Sequence, residues 1–155
     1  METALYQAQE LVITPNQSSM SSFVKVPAFV EALAEGKHNL GSDQIKVALT
    51  NTAPNASHAV LADLTQIAYT NLSARDVTTT TSAQTGGTYK LVLADLTLEA
   101  AGGAVAAFRY VYLYNDDAPS DELIGYYDRG SALTLADGET VLIDFDDAGG
   151  VLTVV

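Results

Sequence analysis

The sequence predicts a mainly β domain: an antiparallel β-sandwich or small barrel of about seven or eight strands, with one N-terminal helix and an extended N-terminal arm. Three observations predict it. Apolar and polar residues alternate with a period of two through most of the chain after residue 88. Short runs of this kind are divided by turn signals: Gly86-Gly87, Gly102-Gly103, Asp137-Gly138 and Gly149-Gly150. The body is rich in Val, Leu, Ile, Thr and Tyr, a bias that favours strands.

The elements follow in order. Residues 1–23 lack helical periodicity and hold one apolar strip, Leu11, Val12 and Ile13, before a polar loop. They read as an arm that orders on a neighbour, and residues 24–155 as a single β-rich domain. Residues 26–36 predict the helix. Pro27 suits its first turn, Phe29, Val30, Leu33 and Ala34 form an apolar face, and Gly36 ends it. His38, just beyond, reads as a complement to the negative helix end.

Residues 44–50 (QIKVALT) alternate as a strand. Residues 58–69 fit either a helical face or a strand, and the threonine-rich stretch 73–87 reads as a loop with room for a short edge strand. Residues 88–99 predict one long strand. Residues 104–114 (AVAAFRYVYLY) are apolar on both faces, as expected of a central strand. Strands at 122–128, 132–135, 140–146 and 151–155 complete the set.

The 155 residues suit one domain with a real core. The formal charge of −12 repels phosphate backbones and anionic membranes, so neither nucleic acid nor a membrane is an expected partner. The absence of cysteine removes disulfides, thiolate metal sites and a cysteine nucleophile. Residues 1–10 have no basic start followed by an apolar run, so no signal peptide is expected, and no run approaches the length of a membrane span.

Catalytic signatures are missing from the sequence. It carries no P-loop, GxGxxG, GxSxG or HExxH, and its two histidines, His38 and His58, have no serine elbow to serve. The expectation is a protein without enzymatic activity or cofactor. Acidic residues cluster at Asp116, Asp117, Asp121 and Glu122, and again at Asp144, Asp146 and Asp147. Neither cluster has EF-hand spacing, and turn chemistry accounts for both; calcium held by Asp116, Asp117, Asp144 and Asp146 is the alternative. Five of the eight tyrosines, Tyr110, Tyr112, Tyr114, Tyr126 and Tyr127, fall in two neighbouring strands. An apolar ring with a wet hydroxyl suits a subunit interface, and equally a sheet core with hydroxyls at its rim.

Several segments carry a family resemblance. They are 29–54 (FVEALAEGKHNLGSDQIKVALTNTAP), 82–98 (SAQTGGTYKLVLADLTL), 108–116 (FRYVYLYND), 123–140 (LIGYYDRGSALTLADGET) and 144–154 (DFDDAGGVLTV). Together they resemble small virion structural proteins of tailed bacteriophages. The resemblance implies a capsid decoration, or cement, protein on the outer shell, a homotrimer that contacts the major capsid protein and its own copies. Tyr6, Leu11, Val12 and Ile13 of the arm, with the five strand tyrosines, are the expected partner-binding residues. A head-fibre, tail or baseplate component that contacts a host receptor or glycan is the alternative.

Overall fold

The structure, a computed structural model, describes residues 21–155. The predicted class holds: the chain is mainly β, built from antiparallel pairs, and sandwich-like. The strands are β1 (Val24–Lys25), β2 (Ile45–Thr50), β3 (Asp76–Val77), β4 (Thr79–Thr85), β5 (Thr88–Leu93), β6 (Leu96–Glu99), β7 (Val105–Asn115), β8 (Leu123–Leu135), β9 (Thr140–Ile143) and β10 (Leu152–Val154). Helix α1 (Pro27–Ala34) lies between β1 and β2, and a single 3-10 turn spans Leu61–Asp63. The strands form a five-stranded sheet β1-β8-β7-β2-β3, a three-stranded sheet β10-β5-β4 and a two-stranded ribbon β6-β9. No helix among the described residues is long and apolar enough to cross a membrane.

Three sequence expectations change at the level of elements. In the threonine-rich stretch the edge strand forms and fills most of what was read as loop: β4 pairs with β5 through the turn Gly86-Gly87, whose φ angles of 60° and 87° suit glycine. β-branched threonines fill an exposed edge strand, and Gly-Gly sets the hairpin. Residues 88–99 are two strands, because the chain leaves the β5 sheet at Ala94 and Asp95. There the Phe145 amide donates to the Asp95 carboxylate at 2.9 Å, and β6 pairs with β9 instead. Conversely, the runs at 122–128 and 132–135 are one strand, β8, whose register with β7 shifts around Gly130 (φ 84°).

The helix is as short as its caps dictate. Pro27 occupies its first turn, and Gly36 at φ 75° ends it while the Glu35 amide donates to the Glu31 carbonyl at 2.9 Å. Its buried face is Phe29 and Ala32, with Leu33 half-buried; Val30, expected inside, is 58% exposed, and Ala34 is exposed as well. The i, i+3, i+4 spacing is the one that points at the sheet.

β7 is the central strand that its two apolar faces predict. Val111 and Leu113 pair with Leu49 and Val47 of β2 and face the core shared with Leu91, Leu93, Leu98, Val141 and Phe145. Tyr110, Tyr112 and Tyr114 pair with Thr50, Ala48 and Lys46, which places them on the opposite face. That face is not left to solvent. The segment after β2 returns beside the open edge of β2 and brings Pro54, Ala56 and Arg75 to the tyrosines. Thr50 donates through its hydroxyl to the Thr65 carbonyl at 2.6 Å, the Leu49 amide donates to the Tyr69 hydroxyl at 2.9 Å, and the Arg75 guanidinium lies 3.8 Å from the centre of the Tyr69 ring.

The start of the described chain is pinned to β8. The Ser21 amide donates to the Asp128 carbonyl at 2.9 Å, and the Asp128 amide donates to the Ser21 hydroxyl at 3.2 Å. Val24 and Lys25 then pair with Tyr126 and Gly125, and the Phe23 ring lies 5.2 Å from that of Tyr127. Gly125 makes this possible, since a Cβ there would strike both the Phe23 ring and the Val24 carbonyl. Residues 21–23, read in sequence as the end of the arm, thus run along the edge of the sheet.

Candidate functional site

Cross-strand pairing builds the candidate site. Val24, Tyr126 and Tyr112 stand in one row across β1, β8 and β7, since Val24 pairs with Tyr126 and Tyr126 with Tyr112. Their side chains therefore share one face. Pro27 and, from the loop after β2, Pro54 and Ala56 line the same space. The result is a groove of about 210 Å³ with a tyrosine floor. The two rings of that floor lie 5.2 Å apart at an interplanar angle of 45°, a tilted aromatic contact.

The Tyr112 hydroxyl is the unusual atom. Tyr112 is 0% exposed, and its hydroxyl is buried without a hydrogen-bond partner among the described residues. Burial, reinforced by the Tyr126 and Tyr110 phenols, pushes its pKa up to about 12. The group is a protonated donor with nothing to donate to, a state that costs about 1–3 kcal/mol when nothing compensates. Lys25 contributes to the edge of the groove, but its pairing with Gly125 turns its side chain to the opposite face, that of Phe23.

The structure brings together only two of the five strand tyrosines, Tyr112 and Tyr126. Tyr110 (7% exposed) and Tyr114 (2%) are buried, the first beside the Arg109 guanidinium and the second beside Arg75. Tyr127 is buried on the other face of β8, between Phe23 and Phe145. Tyr126 alone of the five is half-exposed. Tyr6, Leu11, Val12 and Ile13 lie outside the described residues.

The acidic residues do local work. Asp116 pairs with Lys46 at 2.9 Å, and Asp117 accepts from the Gln44 amide at 2.7 Å. Asp146 accepts from the Gly149 amide at 2.7 Å, and Asp144 beside it is held above the usual carboxylate range by burial and by Asp95. Among the described residues no group of three His, Cys, Asp or Glu side chains is arranged to hold a metal ion.

His38 departs from its expected role. It does not complement the helix end; it is buried at 7% exposure, with its ring 5.0 Å from that of Phe29. The Asn115 side-chain amide lies 3.1 Å from His38 Nδ1 and donates to the Asp43 carboxylate at 2.7 Å. The Asn115 carbonyl oxygen accepts the amides of Asp117 and Ala118 at 3.0 and 3.1 Å. The network joins the exit of α1 to the end of β7. Sequence gave no sign of it, because His38 and Asn115 are 77 positions apart.

Burial lowers the pKa of His38 from 6.5, against the opposing pull of Glu122 and Asp43. The folded state thus takes up its proton later than the unfolded chain does. Stability from this group is complete above about pH 6.5 and is lost as the pH falls below that value. Urea midpoints of the natural chain are expected to fall between pH 7.5 and 5.5, and this fall is expected to shrink in His38→Gln. Carboxylates held low, such as Asp63 and Asp128, act below about pH 4, and Asp144, held high, acts in the opposite direction and equally in both proteins. Equal slopes in the two proteins would reject the assignment.

No protein-family model, curated protein or solved structure matches the chain.

Proposed function

We propose that the chain is a structural protein of a tailed-bacteriophage particle, a capsid decoration protein that binds the outer shell and neighbouring copies of itself as a homotrimer. The observation that carries the reading is the anchored lead-in. Residues 21–25 are fixed along β8 by hydrogen bonds, strand pairing and the Phe23–Tyr127 contact, at the edge of the domain. An arm rooted in this way can reach a neighbour without loosening the sandwich. Tyr6, Leu11, Val12 and Ile13 are its apolar contacts, each contributing roughly 1.5–3 kcal/mol if fully buried. Repetition over a symmetric shell multiplies a modest contact through avidity. The resemblance of segments across residues 29–154 to virion proteins supports the same reading.

The receptor-contacting alternative rests on exposed aromatic platforms, and Tyr89 and Tyr126 are the half-exposed tyrosines of the described strands.

Removal of residues 1–20 is the decisive experiment. The shortened chain is expected to keep its cooperative unfolding transition and to lose binding to undecorated capsids by at least tenfold in co-sedimentation. Undiminished decoration of particles by the shortened chain would refute the proposal.

A further inference from the structure

On the face of β8 opposite the groove, where the chain leaves β9, the carboxylates of Asp95, Asp144, Asp146 and Asp147 lie close enough to repel one another. None of them is in an ion pair among the described residues. Lys25 shares a neighbouring hollow with Asp146 but forms no ion pair with it. Asp95 and Asp146 each accept one backbone amide, from Phe145 at 2.9 Å and from Gly149 at 2.7 Å. The negative charge is otherwise unanswered, and Asp144, held high by burial and by Asp95, Asp147 and Asp146, reflects it.

Tyr127 is an independent observation. A hollow of about 410 Å³ is lined by Phe23, Tyr127, Asp144 and Asp146, with Ser21 and Ser22. Tyr127 is only 7% exposed, and its hydroxyl has no hydrogen-bond partner among the described residues. Unlike the Tyr112 hydroxyl, it is not sealed from the surface. Burial, with Asp144, Asp146 and Asp95 nearby, keeps its phenol protonated far above the usual range, so the hydroxyl lies on the carboxylate side of its ring. The half-buried Phe23 ring stands 5.2 Å from that of Tyr127 and leaves part of its surface open.

These groups define the occupant. It carries positive charge, donates hydrogen bonds to oxygen and tolerates an aromatic ring beside it. A bare metal ion fits poorly, since no group of three His, Cys, Asp or Glu side chains among the described residues is arranged to hold one. A guanidinium fits: it is planar, has five N–H donors and no acceptor, forks onto carboxylates and stacks on rings. The chain itself has no free guanidinium to offer. Residues 1–20 contain neither lysine nor arginine. Arg75 donates to the Val47 carbonyl and lies over Tyr69, and Arg109 pairs with Asp128 at 2.8 Å. Arg129 is buried and donates to the Ser131 carbonyl at 2.7 Å. A second copy would have to break one of these contacts to fill the hollow.

We infer that the hollow is a socket for an arginine side chain presented by a different protein. Its guanidinium stacks on Phe23, donates to Asp144 and Asp146, and gives one further N–H to the Tyr127 hydroxyl. The socket stands on this geometry alone and does not rest on the virion reading.

The test is a titration of the ¹⁵N-labelled full chain, followed by NMR, with N-acetyl-arginine amide as the probe. Saturable shifts are expected at the amides of Phe23, Tyr127 and residues 144–151, with a millimolar Kd. N-acetyl-citrulline amide has nearly the same shape without the charge and is expected to bind at least tenfold more weakly. N-acetyl-lysine amide, which cannot fork or stack, is expected to bind at least threefold more weakly. Equal binding of either analogue, or shifts that do not saturate, would overturn the socket. Calcium chloride that moved the same amides at lower concentration than the arginine probe would replace it with a metal site. Asp144→Asn and Tyr127→Phe are each expected to weaken the arginine probe at least threefold, and Glu31→Gln, an exposed helix carboxylate away from the hollow, to leave it unchanged. An equal loss in Glu31→Gln would reduce the effect to general charge attraction and overturn the proposal.

Discussion

Replacing Asn115 by Asp is expected to destabilise the protein by about 3 kcal/mol or more at pH 7.5, although the two side chains have the same shape. The reason lies in what the amide nitrogen does. It donates to the Asp43 carboxylate at 2.7 Å and lies 3.1 Å from His38 Nδ1, in a site where Asn115 is 0% exposed. Aspartate puts an acceptor where the donor stood, so two carboxylates meet at hydrogen-bonding distance with little water between them. The pair can relieve the repulsion only by binding a proton. The folded-state pKa of the new carboxylate is then raised, so the penalty is largest at high pH and shrinks as the pH falls through that raised value.

The variant should therefore become relatively more stable from pH 7.5 to 5.5, while the natural protein, through His38, becomes less so. Asn115→Ala lacks the repulsion but leaves Asp43, His38 and the amides of Asp117 and Ala118 without their partner. Its cost is expected to be similar at pH 7.5, about 2–4 kcal/mol, without the inverted pH slope. Urea titrations of the three proteins at the two pH values make the comparison. An Asn115→Asp protein with natural stability at pH 7.5 would show that the network carries no weight.

Tyr112→Ala is expected to cost about 3–5 kcal/mol, the range for an aromatic ring removed from a packed interior. Tyr112 is 0% exposed at the centre of the widest sheet, packed against Tyr126 and paired in register with Ala48. Tyr126→Ala is the informative contrast. Tyr126 lies on the same floor but is half-exposed and sits one strand from the edge. Its truncation is expected to cost less than half as much, because less surface is taken from water on folding. Thermal or urea unfolding of both variants measures the difference. Equal costs would mean that the groove is closed over Tyr126 as firmly as over Tyr112.

These contrasts show where sequence reading stopped. The tyrosines of β7 and β8 are conspicuous in sequence, but a pattern with a period of two assigns them to a face and says nothing of what covers it. Tyr112 and Tyr114 meet Pro54, Ala56 and Arg75 of the segment after β2, which has no period and is held along β2 by the Thr50–Thr65 and Leu49–Tyr69 hydrogen bonds. The helix was legible because Pro27 and Gly36 punctuate it, whereas which side of it turns inward depended on where β8 lay. β4 was legible only as room for a short edge strand, and its full length was not, because its threonines are polar and edge strands need bury little.

The sequence by itself determined the β class, the central place of β7, the helix between Pro27 and Gly36, and the turns at its paired glycines. All of these rest on local rules: alternation, capping, and the φ range that glycine allows. Only the tertiary structure decided that the run at 88–99 divides between two sheets, that Phe23 settles over Gly125, and that Val24, Tyr126 and Tyr112 form a groove with an unanswered hydroxyl. It also brought His38 to Asn115 across 77 positions. Such meetings depend on which strand pairs with which, and that choice is made by burying the whole core at once, a quantity that no short stretch of sequence contains.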